Sequence, residues 1–170
     1  MFNLTAIVLA RALHVMAGVI WAGSAVIFAA AIAPVLSRHA AEGAGRWVGM
    51  VARRAAMISG ISVVLTVLSG IYLFAALHAH DETASGWVLK TGAVAALLAM
   101  AVGLLVGRPA GIKLAKAQES QTNGAISDEA ARQLGVLRGR AVLSSRVALG
   151  LLGVSVVAMA TFRYAQALAG

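Results

Sequence analysis

One histidine interrupts an apolar stretch near the beginning of the chain. His14 lies in the run ALHVMAGVIWAGSAVIFAAAIAPVL, residues 12–36, which otherwise suits a lipid environment. A titratable imidazole in an apolar helix is costly unless a ligand or a neighbouring group uses it. Imidazole can ligate haem iron or another metal, and it can also hydrogen-bond to an adjacent helix. His14 is therefore the first candidate for chemistry in this sequence.

The composition identifies the class of protein in which this histidine acts. Of the 170 residues, 61% are hydrophobic and 12% are charged, and both values lie outside the range of soluble domains. Cysteine is absent, which excludes disulfides, thiolate metal sites and iron–sulfur clusters. Unpaired backbone groups are not tolerated in lipid, so the apolar segments must be helical. The sequence predicts an all-α integral membrane protein.

Four apolar segments predict a single domain that forms a four-helix transmembrane bundle. The helices are expected at about 4–36, 47–78, 87–118 and 128–168. Pro109 and Gly111 are expected to bend or end the membrane part of the third helix, and Ser127 is expected to be the N-cap of the fourth. The helix surfaces are rich in small residues, which are typical of helix packing in membranes.

The charged residues of the connections predict an orientation. Lys and Arg are frequent in the first and third connections, whereas the second carries Asp81 and Glu82 and neither Lys nor Arg. The positive-inside rule therefore predicts an N-out/C-out, multi-pass protein of a bacterial-type inner membrane. The net charge of +8 is explained by this orientation and by contact with the lipid bilayer, and we expect no nucleic-acid partner.

In this orientation several cationic residues gather at the outer ends of the helices. They are Arg11, His14, His78, Lys90 and Arg163, with His80 close by. Asp81 and Glu82 are too few to neutralise the three fixed cations. Snorkelling to lipid phosphate, pairing of Lys90 with one of these acids, or an anionic ligand would each supply the missing charge.

A haem or porphyrin would satisfy this cluster, because it combines a metal that accepts imidazole with two propionates that prefer Arg and Lys. In this interpretation haem b is the cofactor and His14 is its axial ligand, with His78 as the other histidine to consider as a metal ligand. Propionate or anion partners would be Lys90, Arg11 and Arg163. Trp21 and Gly18 would be walls of the pocket, and Gly18, one turn after His14, would leave the imidazole side of the helix uncrowded.

Copper is the alternative metal. Cu(I) favours Met and His, and methionines occur within or near the predicted spans, but they also fill gaps in helix packing. They are Met16, Met57, Met100 and Met159. Motifs for hydrolysis, phosphoryl transfer and dinucleotide binding are absent from the sequence.

Short motifs in three helices resemble a known superfamily. The first helix reads LHVMAGVIWAG, an H-x6-W-x-G pattern similar to that of the copper-resistance protein D (CopD) family. The second, SGISVVLTVLSGIYLF, and the third, SGWVLK with a later Gly107-Arg108, resemble the same superfamily, which includes HemJ-type protoporphyrinogen oxidases. The resemblance implies a helical membrane bundle with a b-type haem or porphyrin site, in which His14 is the ligand candidate and Lys90 a functional partner.

The expected function is electron transfer or porphyrin redox chemistry in the membrane, with a quinone or another redox partner. Porphyrin redox chemistry would make the protein an oxidoreductase of the HemJ type. A copper-handling permease or accessory protein is the first alternative. A structural or assembly subunit, whose polar residues only hold helices together, is the second. A monomer and a homodimer are both compatible with the sequence.

Overall fold

The structure, a computed structural model, describes residues 3–32, 45–121 and 128–169, and all regular secondary structure in them is helical. The α-helices are α1 (Leu4–Ile27), α2 (Gly45–Leu77), α3 (Ala84–Val102), α4 (Arg108–Gln121) and α5 (Asp128–Ala169). Five-residue π-helical turns follow α1 at Phe28–Ile32 and join α3 to α4 at Gly103–Gly107. The predicted all-helical architecture is confirmed.

Four helical segments are long and apolar enough to cross a membrane. They are Leu4–Ile32, Arg53–Leu77, Ala84–Lys113 and Arg132–Leu168. Each coincides with one of the four helices expected from the sequence. Residues 33–36 of the first expected helix, the first-connection residues Arg38 and His39, and the expected N-cap Ser127 lie outside the described residues.

Both prolines of the chain follow a π-helical turn by two residues. Phe28–Ile32 precedes Pro34, and Gly103–Gly107 precedes Pro109. Proline removes one backbone donor and its ring crowds the carbonyl four residues earlier, so a wider turn at that place relieves the conflict. The third apolar segment therefore does not end at Pro109, and the helix continues through α4 to Gln121.

The helices associate as two antiparallel pairs, α1 with α2 and α3 with α5. The pairs meet chiefly where α1 touches α5. All four spans contribute to the cluster at this junction, which is built around Trp21, Ala99 and Leu152 and includes Val63.

Small residues allow the close approach within the α3–α5 pair. A Cβ built on Gly92 would stand 2.9 Å from Cβ of Ala158 and 3.3 Å from the carbonyl oxygen of Ser155. Any larger residue at position 92 would push the two helices apart. The backbone contact thus replaces the side-chain interdigitation of a soluble core.

The distribution of side chains is the reverse of that in a soluble bundle. The buried polar residues are all small hydroxyl residues, among the described side chains, whereas large aliphatic residues are exposed on every span. Leu105, for example, is 77% exposed and Val19 is 67% exposed. A surface of this kind is stable when lipid rather than water surrounds it.

Candidate functional site

His14 lies at the contact between α1 and α2. Its Nδ1 atom is 2.8 Å from the carbonyl oxygen of Thr66 and 3.3 Å from Oγ of Ser69. The ring also lies against Gly70, where a Cβ would approach Cε1 to 2.9 Å. The half-buried imidazole is therefore held by one short segment of α2.

The sequence of α2 explains why this segment accepts the ring. Ser62, Thr66, Ser69 and Gly70 share one face of the helix, because Thr66 follows Ser62 by four residues and is itself followed by Ser69 after three and Gly70 after four. Each hydroxyl donates to a carbonyl one turn earlier in its own helix: Ser62 to Ile58, Thr66 to Ser62, and Ser69 to Leu65. The face is thus narrow and polar, and its hydroxyl groups are satisfied.

The hydrogen bond to Thr66 determines the tautomer of His14. A carbonyl oxygen only accepts, so Nδ1 of the neutral ring carries the proton and donates it, and Nε2 keeps its lone pair. Within the described residues, Nε2 has no hydrogen-bond partner. Metal-ligating histidines commonly have this arrangement, in which the second ring nitrogen donates to a carbonyl or carboxylate.

The expected pocket walls lie in helix packing. Gly18 faces α2, and a Cβ at this position would be 3.8 Å from Cγ2 of Thr66. Gly18 therefore lies beside Thr66 at an ordinary van der Waals distance, and its expected role as a pocket wall stays a prediction. Trp21 is 7% exposed and forms part of the junction with Ala99 and Leu152.

Lys90 has an acidic partner near the beginning of α3. Its Nζ atom is 2.9 Å from Oε1 of Glu82 and 4.7 Å from the centre of the Trp87 ring. Among the alternatives that the sequence left open for Lys90, the structure contains the pairing with an acid of the second connection. The Lys90 side chain is 24% exposed and that of Glu82 is 70% exposed.

His78 belongs to a second, separate group at the end of α2. Its Nδ1 atom is 3.4 Å from Oδ2 of Asp81, and its ring meets Phe162 edge-on with centroids 5.8 Å apart. The guanidinium of Arg163 lies 5.9 Å from the same Phe162 ring. This places His78 and Arg163 together around Phe162.

The structure does not bring His78 to His14. His14 contacts α2 at Gly70, and His78 is eight residues farther along the helix, or about 12 Å at 1.5 Å per residue. The two histidines therefore do not face one metal ion from opposite sides. Across 3–32, 45–121 and 128–169, no three His, Cys, Asp or Glu side chains come together as a metal site.

Asp81 organises the connection between α2 and α3. Its carboxylate accepts from the hydroxyl and the backbone N–H of Thr83, and these two hydrogen bonds, aided by His78, lower the pKa of Asp81 against the opposing effect of burial. Thr83 in turn caps α3 by accepting from the N–H of Gly86 at 3.3 Å. A Cβ at Gly86 would clash with Asp81, so glycine is needed here.

Arg11 is the remaining predicted site residue. It is exposed on α1, one turn before His14, and forms no ion pair with any described residue. It therefore lies close in depth to the imidazole and is available to an anion.

Three residues that contact His14 were not predicted as site residues: Thr66, Ser69 and Gly70. Their T-x-x-S-G spacing puts two hydroxyl groups and a residue without a side chain on one face of the helix. A lone intramembrane histidine needs a polar partner of this kind on a neighbouring helix. That was the available signal.

Comparisons of the chain with protein-family models, curated proteins and solved structures find no match.

Proposed function

We propose that this chain is a multi-pass membrane protein of a bacterial-type inner membrane, N-out/C-out, that binds a b-type haem or related porphyrin through Nε2 of His14. Its role is electron transfer or porphyrin redox chemistry, with a quinone or another redox partner. Membrane insertion is supported by the four long apolar segments and by their exposed aliphatic surfaces. The orientation is supported by the acidic second connection and the basic third one.

The observation that carries the haem proposal is the hydrogen bond from His14 to the Thr66 carbonyl. It holds the ring at a fixed angle, keeps the proton on Nδ1 and leaves Nε2 as a metal donor. It also raises the electron density of the imidazole, which favours coordination of an oxidised iron. The donor chemistry at His14 therefore fits a haem.

The rest of the site determines where the cofactor would be held. Nε2 of His14 would bind the iron, and Gly18 lies beside Thr66 where a Cβ would make only ordinary van der Waals contact. Arg11 is the described cation best suited to a propionate, because it lies one turn from His14 without an ion pair. Lys90 would first have to leave Glu82. Bound haem supplies one-electron chemistry, and the apolar surfaces around it exclude water.

The absorption spectrum of the purified protein tests the proposal. We expect a Soret band and sharp reduced α and β bands in the wild type, with loss of most bound haem in His14→Ala. His80→Ala is the matched control, since that histidine is exposed at the end of α2 and contacts neither His14 nor α1 in any described bond. A wild type without haem, or a His14→Ala protein that keeps it, would refute haem binding. Metal analysis of the same sample tests the copper alternative.

A structural or assembly subunit is the second candidate, because the same hydrogen bond also joins α1 to α2. In that case the wild type holds no haem, and His14→Ala unfolds at a lower temperature than the wild type. His14→Asn separates the two functions, since the shorter amide can still donate toward α2 but is a poor ligand for iron.

A further inference from the structure

An open groove lies between the beginning of α4 and the part of α5 that faces it. The haem proposal does not use this groove. Its volume is about 460 Å³, within the range of about 300–1,000 Å³ typical of small-molecule sites. Its apolar lining includes Leu105, Val106, Pro109 and Leu137, and two cations, Lys113 and Arg140, also line it.

The groove follows from the change of helix geometry before Pro109. Residues 105, 106, 109 and 113 form one face that begins in the π-helical turn and continues into α4. On α5, positions 137 and 140 are one turn apart and face them. Ala110 is buried against α5, and its small side chain leaves room on either side of the contact.

The described lining of the groove carries two cations and no acidic side chain. Neither Lys113 nor Arg140 forms an ion pair with a described residue, and the acid described nearby on α5, Glu129, pairs with Arg132 at 3.3 Å. Both cationic side chains are exposed. Two cations beside the apolar residues of a groove are complementary to an amphiphilic anion.

Lys113 and Arg140 lie at the level along the helices where lipid headgroups are expected. Lys113 is the last residue of the third span, and Arg140 is the last of three arginines near the beginning of the fourth span, Arg132–Leu168. In the proposed orientation, on which this step rests, both lie at the cytoplasmic surface of the bilayer. There the anionic lipids attract basic residues.

We propose that this groove is a binding site for an anionic phospholipid. Lys113 and Arg140 hold the headgroup phosphate, and an acyl chain lies along Leu105 and Val106. The site is independent of His14 and of any haem.

Native mass spectrometry of the detergent-purified chain tests this assignment, with phosphatidylglycerol and phosphatidylcholine of the same acyl chains as probes. We expect phosphatidylglycerol to bind at least about tenfold more tightly, given the attraction of two cations. Lys113→Gln with Arg140→Gln should remove this preference, and each single change should remove part of it. Lys113→Arg with Arg140→Lys should retain it.

The matched control is Arg108→Gln with Arg138→Gln. Both arginines are exposed at the same end of the bundle, but neither lines the groove. The control removes the same charge as the groove variant. The proposal is wrong if the wild type does not distinguish the two lipids, or if the control loses the preference as fully as the groove variant does. It is also wrong if inorganic phosphate competes at equal concentration, because the acyl chain would then be irrelevant. Since His14 is unchanged in every variant, failure here leaves the haem spectrum as a separate test.

Discussion

The imidazole of His14 lies directly against the backbone of Gly70. A Cβ built on Gly70 would stand 2.9 Å from Cε1 and 3.2 Å from Nδ1 of the ring. The ring has little freedom to retreat, because Nδ1 is bonded to the Thr66 carbonyl one turn away. Glycine at position 70 is therefore a condition for the hydrogen bond that orients His14.

Gly70→Ala should displace His14 and destabilise the protein. We expect a loss of roughly 1–3 kcal/mol, the usual cost of an overpacked contact, measured as a lower unfolding temperature in detergent. Any bound haem should fall with it. Gly60→Ala is the control on the same helix, because nothing lies within 4 Å of a Cβ there. Equal stability of the two variants would contradict the His14–Gly70 contact.

Lys90→Met should have a small effect. The ion pair with Glu82 is partly exposed, and such pairs contribute about 0–1 kcal/mol. Haem content should be unchanged, and Glu82→Gln should give an effect of similar size. A loss of roughly 3–5 kcal/mol in Lys90→Met alone would instead indicate a buried anionic partner.

Asp81→Asn should reduce stability at neutral pH and have less effect in acid. Because Thr83 and His78 lower the pKa of Asp81 from its ordinary 3.8, the native state favours the charged carboxylate. This stabilisation is complete above pH 3.8 and is lost as the pH falls through the lower, native pKa. Unfolding temperatures at pH 7 and pH 3 test it.

Glu82→Gln is the control for this pH effect, because it removes a charge from the same connection without touching Thr83. At pH 7 it should change the unfolding temperature less than Asp81→Asn does. If the difference between wild type and Asp81→Asn were the same at both pH values, the hydrogen bonds from Thr83 would not be stabilising the charged form.

Reporter fusions test the orientation. A fusion after Ala84 should report the periplasm and one after Gly124 the cytoplasm, because Lys and Arg flank the second site and not the first. A fusion after Ala169 should agree with the first. The reverse pattern would place the His14 contact near the inner face and the lipid groove at the outer one.

The sequence predicted the helices better than their contacts. Lipid allows little besides helix, so the apolar run located α2 to within a few residues, and the N-cap signal at Ser127 located the beginning of α5 beyond its own apolar run. Rotation about the helix axis was not predictable, since an apolar helix has a weak hydrophobic periodicity. The contact of Gly18 with Thr66, for example, was not indicated by the sequence. The pairing of Lys90 with Glu82 was anticipated as an alternative, because both residues lie near one connection.

The π-helical turn at Gly103–Gly107 also determines the direction, around the helix axis, in which each residue of α4 points. A turn of this kind is equivalent to one extra residue in an α-helix, and each residue rotates the chain by about 100°. Removing one residue from this turn would swing Ala110 and Lys113 by about that angle, away from Leu137 and Arg140. Deletion of one residue of this turn that does not line the groove would thus abolish the groove, although all of its lining residues are still present.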